Sequence, residues 1–448
     1  MFDGGLYLPD EKAATARRPI EPLPPVGALH VPLQFDANRT TRRVVAVGTT
    51  VGPGDLLAQA VHPDATAILS PLAGRVAGFC TVRTARHADI PAVTIEPVDD
   101  LGGRTTDPNP ATTPPTSGET SPTLPLPRGS EEGAAERMGV CGVVDVASGL
   151  PLHCLLARAA TAGADTLIVN GLETEPYLTA NLRTLVEQPD AVLEAAEALG
   201  AALGIRSVRL AIPFRHRRLA RRMTFLARGR SVLVETLADK YPQCHPRLLA
   251  RVLTHREPPP GGAPLDVGVV VLPLATAMAA GDALRRGRPH VSRVVTVAGE
   301  AVERPGNFIV PFGTPVRRLL AQAGVGMDRG AEGAGYALLI AGGPMTGVCL
   351  PHDEVVTSAD FSALLVLRRR PQDEPIPCIR CGWCLEDCPA GIDPSRLAQL
   401  EWAEQCSAGD RAALAACIEC GLCTYVCPSQ LPLAETLAQS RRRWGTRP

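Results

Sequence analysis

The sequence predicts a multi-domain chain that combines α/β and β architecture with a small, cysteine-rich α-helical domain at its carboxyl end. Three observations support this fold class. A stretch rich in Pro, Thr, Ser and Gly separates the first hundred residues from the rest, apolar strands and amphipathic helices alternate after it, and two copies of one cysteine pattern follow. A chain of 448 residues is long enough for several domains, each with its own core.

Residues 1–98 are predicted to form a barrel-sandwich hybrid. Strand-like runs at 43–47 and 74–79 are separated by turn sequences at Gly52-Pro53-Gly54-Asp55 and Ser70-Pro71-Leu72-Ala73-Gly74. These segments resemble the hammerhead of biotinyl and lipoyl carriers. The lysine that carries the swinging arm in those carriers is absent between the two halves, so we expect a docking or structural module.

Residues 99–135 are almost free of periodic apolar residues and are predicted to be a disordered linker. Residues 136–262 alternate strands with helices in the manner of βαβ units, which predicts a Rossmann-like domain with a parallel sheet. Strands are expected at 166–170, 207–212, 231–235 and 267–272, and a helix at 192–203. Ligands of such sheets bind at the carboxyl ends of the strands, so segment 170–177 is expected at the ligand edge.

Residues 263–365 are predicted to form a β-grasp domain of the soluble-ligand-binding (SLBB) type. A strand at 293–297 is followed by a tight turn, a second strand and a short helix after Pro315. This arrangement needs no catalytic residue to explain it, and we assign no catalytic residue anywhere in the chain.

Residues 366–448 carry eight of the fourteen cysteines in two copies of the pattern Cys-x-x-Cys-x-x-Cys-x-x-x-Cys-Pro. This is the spacing of bacterial ferredoxins with two [4Fe-4S] clusters, in which the fourth cysteine of each copy binds the other cluster. The sequence therefore predicts a two-cluster ferredoxin-type domain. The expected ligands are Cys378, Cys381, Cys384 and Cys427 for cluster 1, and Cys388, Cys417, Cys420 and Cys423 for cluster 2.

Disulfides and zinc are the alternative uses of these cysteines. Disulfides belong to oxidising compartments, and the opening residues Met1-Phe2-Asp3 are not followed by the pattern of a secretion signal. Zinc knuckles pair two Cys-x-x-Cys units, which leaves the third cysteine and the Cys-Pro of both copies without a role. We therefore favour iron-sulfur clusters.

Composition excludes several classes of function. The net charge of −1 counts against an electrostatic nucleic-acid binder. No run of 18 apolar residues is present, so we expect no membrane-spanning helix. Lys12 and Lys240 are the only lysines, which disfavours Schiff-base chemistry and a P-loop.

Together, the order of these parts resembles the RnfC (RsxC) family, a peripheral component of the Rnf ion-translocating electron transport complex, over nearly the whole chain. The segments that carry the resemblance are Gly4-Gly5-Leu6-Tyr7-Leu8-Pro9, residues 170–177, Tyr241-Pro242-Gln243, Arg304-Pro305-Gly306-Asn307, residues 342–347 with Pro351-His352-Asp353, and both cysteine repeats.

This resemblance implies a peripheral subunit on the cytoplasmic face of the bacterial inner membrane, attached through its partners. Those partners would be integral membrane and iron-sulfur subunits of an Rnf-type complex. The chain would act as the electron-transfer subunit of an ion-translocating oxidoreductase, passing electrons between NAD(H) or another donor and the membrane subunits. FMN, NADH and ferredoxin are the further cofactors and partners that the resemblance implies.

One segment departs from the family pattern. Where the family has a glycine-rich loop for flavin and nicotinamide phosphates, this chain has residues 139–151, which include Val143, Val144, Asp145 and Val146. Glycines let backbone N–H groups approach phosphate closely, and we expect these larger or acidic side chains to enter that space. The departure counts against binding of FMN and NADH. Glu173 and Glu175 remain weak candidates for holding a flavin or ribose hydroxyl, against the alternative of a solvated loop.

Three functions stay open from the sequence. The chain is an Rnf-type subunit that takes electrons from NADH through flavin, or an electron-wiring subunit of the same complex that has lost FMN and NADH binding. The third alternative is an iron-sulfur flavoprotein similar to cobalamin reductase. The amino-terminal Gly4-Gly5-Leu6 segment and the hammerhead favour the first two, because the third class is expected to start at its Rossmann domain.

Overall fold

A computed structural model describes residues 2–24, 27–34, 40–98, 131–325, 337–368, 374–402 and 404–444. Most of the predicted linker, residues 99–130, therefore lies outside the described residues. Helix α1 begins at Glu131, inside the stretch that the sequence assigned to the linker.

The amino-terminal barrel is built from two small sheets, with strand orders β2-β8-β7-β4 and β3-β5-β6. Its core includes Val51, Leu57, Val76, Val93 and Ile95. Strand β1 is separate from the barrel, because it pairs in parallel with a strand of the β-grasp sheet. The strands are β1 (Ile20–Pro22), β2 (Leu29–Pro32), β3 (Thr41–Arg43), β4 (Thr50–Val51), β5 (Leu56–Ala60), β6 (Ile68–Leu69), β7 (Gly74–Val82) and β8 (Ile90–Pro97).

The strand predicted at 43–47 is wrong in its position. Strand β3 ends at Arg43, and Val44 and Val47 are 47% and 62% exposed. A turn closed by the bond from Thr49 N to Ala46 O follows, and Gly48 has a φ of 87°, which ends extended pairing at this point.

The α/β unit contains a parallel sheet in the order β11-β10-β9-β12, covered by helices. Its elements are α1 (Glu131–Val140), α2 (Leu152–Thr161), β9 (Thr166–Asn170), α3 (Ala180–Glu187), α4 (Pro189–Ala202), β10 (Ser207–Pro213), α5 (Arg217–Leu226), β11 (Val232–Leu237), α6 (Pro246–Thr254), β12 (Val269–Pro273) and α7 (Leu274–Arg286). Helix α4 begins with Pro189 at its first position and buries Val192, Ala196 and Leu199 on one face. Because β12 pairs with β9 and α7 packs on α4, the unit extends to Arg286, beyond the predicted boundary at 262.

The β-grasp unit has a sheet in the order β1-β14-β13-β17-β15-β16, with one helix packed on it. Its elements are β13 (Ser292–Ala298), β14 (Gly306–Pro311), α8 (Val316–Gln322), β15 (Ala337–Ala341), β16 (Val348–Cys349) and β17 (Ala363–Arg368). Strands β13 and β14 form the expected antiparallel hairpin. Strand β17 continues three residues past the predicted boundary at 365.

The carboxyl-terminal unit is helical, as predicted. Its helices are α9 (Trp383–Glu386), α10 (Pro394–Trp402), α11 (Ala408–Ala415), α12 (Leu422–Tyr425) and α13 (Leu433–Arg443). Each cysteine repeat turns at a glycine with positive φ, Gly382 or Gly421, before its short helix. Among the helices of the described ranges, none is both long and apolar enough to cross a membrane.

Candidate cluster sites and the ligand edge of the sheet

The structure brings the predicted ligands of cluster 2 together from both repeats. Cys388 of the first repeat packs in one apolar cluster with Cys417 of the second. Burial, with a smaller contribution from Cys388, raises the pKa of Cys417, Cys420 and Cys423. Burial, followed by the charges of the neighbouring thiols, raises the pKa of Cys420 to about 12. Metal binding would remove the protons of these thiols, because a coordinating cysteine binds as the thiolate.

Two of the four cysteines predicted for cluster 1 lie in one apolar cluster, against which Cys423, predicted for cluster 2, also packs. Cys384 is buried with Ala398 and Leu433, and Cys427 of the second repeat packs against the same group. Cys388 and Cys417 instead pack around Leu397 and Leu414 in a separate cluster. The fourth cysteine of each repeat therefore packs in an apolar cluster that also contains a cysteine of the other repeat.

In the part of the chain that the structure describes, no three His, Cys, Asp or Glu side chains converge on a single metal ion. A four-iron cube does not require such convergence, because its four thiolates bind separate irons at separate corners. The eight thiols of the two repeats supply the donors that such cubes require, and five of them lie in two apolar clusters, Cys388 with Cys417 and Cys384 with Cys423 and Cys427. This chemistry fits two [4Fe-4S] clusters.

Tyr241 connects the α/β unit to the second cysteine repeat. Its side chain is 1% exposed, and its hydroxyl donates to the carbonyl oxygen of Cys420 at 2.5 Å. Its backbone pairs with Leu6, with Leu6 N to Tyr241 O at 2.9 Å and Tyr241 N to Leu6 O at 2.7 Å. The Tyr241-Pro242-Gln243 and Gly4-Gly5-Leu6 segments therefore meet beside a predicted cluster ligand.

Two glycines allow close approach to the cluster peptides. A Cβ atom at Gly4 would lie 2.8 Å from the backbone carbonyl carbon of Cys388, and Gly5 N donates to Asp387 O at 2.9 Å. On the other side, a Cβ at Gly421 would lie 3.1 Å from the carbonyl oxygen of Met345 in the 342–347 loop. Gly4 and Gly421 both have a positive φ, so a larger residue at either position would strain the backbone as well as crowd its neighbours.

The two repeats differ in how well they are covered. In the first repeat, the apolar side chains of Ile379 and Trp383 are 60% and 52% exposed. Leu422, which occupies the position of Trp383 in the second repeat, is 1% exposed. Cys381 is exposed as well, whereas Cys420 is partly buried. Tyr241 and the 342–347 loop contact the second repeat. The amino-terminal segment contacts only the end of the first repeat, at Asp387 and Cys388, and leaves Ile379 and Trp383 exposed.

Glu173 lies at the carboxyl edge of the sheet, as predicted, but its carboxylate is buried and engaged. It accepts from Leu182 N at 3.0 Å, which satisfies a donor in the first turn of α3. The ammonium group of Lys12 donates to the backbone carbonyl of Glu173. Burial raises the pKa of Glu173, and the nearby Lys12 charge opposes that shift.

Glu175 joins the α/β unit to the β-grasp unit. Its carboxylate accepts from Met345 N at 2.9 Å, from Thr346 N at 3.3 Å and from the hydroxyl of Thr346. A Cβ atom at Gly343 would lie 2.0 Å from the Glu175 carboxylate, so only glycine fits there. The sequence analysis did not predict this contact. The Gly342-Gly343 pair indicates it, because glycine allows the Glu175 carboxylate to approach the backbone.

Segment 139–151 forms a compact turn between α1 and α2, closed by a bridge between Val144 and Pro151. Val143 and Val144 are fully buried in the core, so the expectation that they enter the phosphate space is wrong. The carboxylate of Asp145 points inward: it accepts from Ser148 N at 3.0 Å, from Ser148 Oγ at 2.6 Å and from Thr276 Oγ1 at 3.0 Å. As it stands, this segment does not fit a flavin phosphate.

Four family models match consecutive parts of the chain: the RnfC barrel sandwich hybrid domain at 1–100, the Nuo51 FMN-binding domain at 136–281, the SLBB domain at 294–348 and the 4Fe-4S dicluster domain at 377–431. A subunit of the proton-translocating ferredoxin:NAD(+) oxidoreductase complex of Clostridium ljungdahlii is 30% identical over 406 residues, 89% of this chain and 84% of that protein. The chain belongs to the RnfC family.

A second RnfC relative is a subunit of the ion-translocating oxidoreductase complex of Rhodobacter capsulatus. It is 30% identical over 405 residues, which cover 88% of this chain and 73% of that protein. Among solved structures, the NAD+-reducing [NiFe]-hydrogenase in its H2-reduced state matches with a TM-score of 0.46 and 14% identity, over 71% of this chain and 62% of that chain. A likeness this low supports no argument about function.

These matches confirm the family resemblance and the four domain types of the predicted architecture. The dicluster match spans all eight cysteines of the two repeats, which confirms the iron-sulfur prediction at the level of the domain. The match to an FMN-binding domain covers segment 139–151, whose geometry in this RnfC-family chain does not present a phosphate site.

Proposed function

We propose that this chain is a peripheral subunit of an Rnf-type ion-translocating oxidoreductase and relays electrons through two [4Fe-4S] clusters. The observation that carries the proposal is that Cys388 of the first repeat packs with Cys417 of the second, while Cys427 of the second packs with Cys384 of the first. This packing suits two clusters that exchange their fourth ligands. Membership of the RnfC family supplies the setting of a multi-subunit complex.

The proposed ligands are Cys378, Cys381, Cys384 and Cys427 for cluster 1 and Cys388, Cys417, Cys420 and Cys423 for cluster 2. Such clusters cycle by one electron at potentials set by hydrogen bonds, net charge and solvent exposure. Residues of this chain affect two of these factors, the hydrogen bonds near the clusters and the solvent exposure of the clusters. Burial around Leu397 and Leu414 keeps the surroundings of Cys388 and Cys417 apolar, and Tyr241 fixes the peptide of Cys420.

The partners in this proposal are the integral membrane and iron-sulfur subunits of the complex, and the chain sits on the cytoplasmic face of the inner membrane through contacts with them. The Clostridium relative is named for ferredoxin and NAD(+), which suggests ferredoxin as one electron carrier of the complex. The coupled transport of an ion would be carried out by the membrane subunits.

A complementation experiment tests the proposal. Inverted membrane vesicles from the native host, deleted for this chain, should lose ferredoxin-linked electron transfer and ion uptake, and the parent chain should restore both. A Cys384→Ser variant should bind the membranes and fail to restore either activity, whereas Cys349→Ser, which changes an exposed cysteine outside the repeats, should restore both. Full restoration by Cys384→Ser would contradict a relay through the clusters.

A further inference from the structure

We propose that the Rossmann-like domain of this chain works without flavin, because the carboxylate of Asp145 fills the loop that would hold the flavin phosphate. The domain then has a structural role, in which it supports the segment that binds cluster 2. Electrons reach the clusters from a protein donor. This inference goes beyond the proposed relay and concerns only how electrons enter it. It also departs from the match of residues 136–281 to an FMN-binding domain.

Most backbone donors of the loop are already used. A phosphate-binding loop must present free N–H groups to its ligand, usually beside the amino end of a helix. Here nine N–H groups between Cys141 and Leu152 donate to acceptors within the protein, and six of those acceptors are backbone carbonyl oxygens. The donors are the N–H groups of Cys141, Gly142, Val143, Asp145, Val146, Ser148, Gly149, Leu150 and Leu152.

Asp145 occupies the position of an anion in this arrangement. It is 5% exposed and lies at the first turn of α7, where the helix dipole stabilises negative charge. Thr276 of that turn donates its hydroxyl proton to Asp145 and accepts from Val146 N at 3.0 Å. A phosphate entering this site would meet a buried like charge and would have to displace each of these bonds.

The other polar groups at the ligand edge are also engaged within the chain. Glu173 accepts from Leu182 N in α3, and Glu175 accepts from Met345 and Thr346 of the β-grasp loop. Tyr241 donates to the cluster peptide at Cys420. The edge where a sheet of this kind binds its nucleotide has therefore become the contact surface between three units of the chain.

The test uses the full chain, purified anaerobically with its iron. Iron, sulfide and acid-released flavin are measured on one sample, and FMN is then titrated into it while the FMN fluorescence is recorded. Finally, the clusters are followed by absorbance during addition of NADH and then of dithionite. We expect cluster iron without flavin, no saturable quenching of FMN, no reduction by NADH and full reduction by dithionite.

Saturable quenching near one FMN per chain, or reduction of the clusters by NADH, would overturn the inference. Reduction by dithionite shows that the chain is folded with working clusters, so the absence of flavin binding cannot come from damaged protein. A different result would contradict the proposed relay: a sample without cluster iron would do so, whatever its flavin content.

Discussion

The hydroxyl of Tyr241 and the backbone carbonyl of Cys420 form a 2.5 Å hydrogen bond across 179 positions of sequence, between the α/β unit and the second cysteine repeat. The tyrosine is buried, and the carbonyl belongs to Cys420, a proposed ligand of cluster 2. A hydroxyl at this position partly neutralises the negative end of a peptide dipole beside the cluster. Because local dipoles and exposure set the potential of a cluster, Tyr241 is placed to tune cluster 2 without touching its sulfur atoms.

We expect Tyr241→Phe to lower the midpoint potential of one cluster and to leave the other unchanged. The Cys420 carbonyl loses its donor, so its negative end opposes the extra electron more strongly. Potentiometric titration followed by EPR measures this, with iron content as the check on cluster assembly. Tyr7→Phe, which alters a 72% exposed tyrosine, is the matched control. Equal shifts in both clusters, or none, would show that Tyr241 only helps the domains to pack.

Asp145→Ala should lower the free energy of unfolding by about 2 kcal/mol, because it leaves the Ser148 and Thr276 donors without their buried acceptor. Chemical denaturation under anaerobic conditions measures this loss. Asp190→Ala removes an acidic residue that is 58% exposed in an ion pair with Arg230, and it should cost less than about 1 kcal/mol. Equal effects of the two variants would mean that the turn does not depend on Asp145.

His290 should make the stability of the chain depend on pH. It is buried against the ring edge of Phe312, and burial lowers its pKa to about 3. As the pH falls below the ordinary histidine value, the unfolded chain takes up a proton that the folded chain does not, so stability is present at neutral pH and decreases toward acid.

Between pH 7 and pH 5.5, we expect His290 to account for about 1 kcal/mol of lost stability. Denaturation curves of the parent and of His290→Phe at the two pH values measure the effect, since the variant removes the titrating ring. An unchanged pH dependence in His290→Phe would mean that other groups cause it.

The cluster bound by the first repeat should be the more accessible to solvent. Cys381 is exposed and Trp383 is 52% exposed, whereas Leu422 at the equivalent position of the second repeat is 1% exposed. Anaerobic treatment with a chelator and ferricyanide should therefore remove the EPR signal of one cluster well before the other. Cys381→Ser, which weakens cluster 1, should abolish the fast phase and keep the slow one. Loss of both EPR signals at the same rate would contradict the difference in solvent exposure between the two clusters.

Local patterns in the sequence predicted much of the fold. The apolar run of β9 and the helical spacing of α4 were read correctly because burial on a sheet or a helix face fixes the period of apolar residues. The cysteine repeats predicted the dicluster domain, because the spacing of the ligands follows the shape of the cluster, and the exchange of the fourth ligands stays a prediction. The strand expected at 43–47 failed because a turn at Ala46–Thr49 interrupts it.

Contacts between distant segments could not be predicted in the same way. Glu175 and Thr346 are 171 positions apart, and Asp145 and Thr276 are 131 apart, so no local pattern reports either pair. The sequence shows that segment 139–151 lacks the glycines of the family, and from it we expect valine side chains to fill the space for the phosphate. The structure instead places Val143 and Val144 in the core and turns Asp145 inward, because hydroxyl and amide donors there need an acceptor.

The most direct test of the account is the measurement of iron and sulfide per chain in anaerobically purified protein, with EPR of the reduced sample. The account predicts about eight irons and eight sulfides and the signals of two [4Fe-4S] clusters. Cys388→Ser should disturb the cluster of the second repeat, and Cys427→Ser that of the first. A content of about four irons, or loss of the same cluster in both variants, would contradict the crossed two-cluster relay.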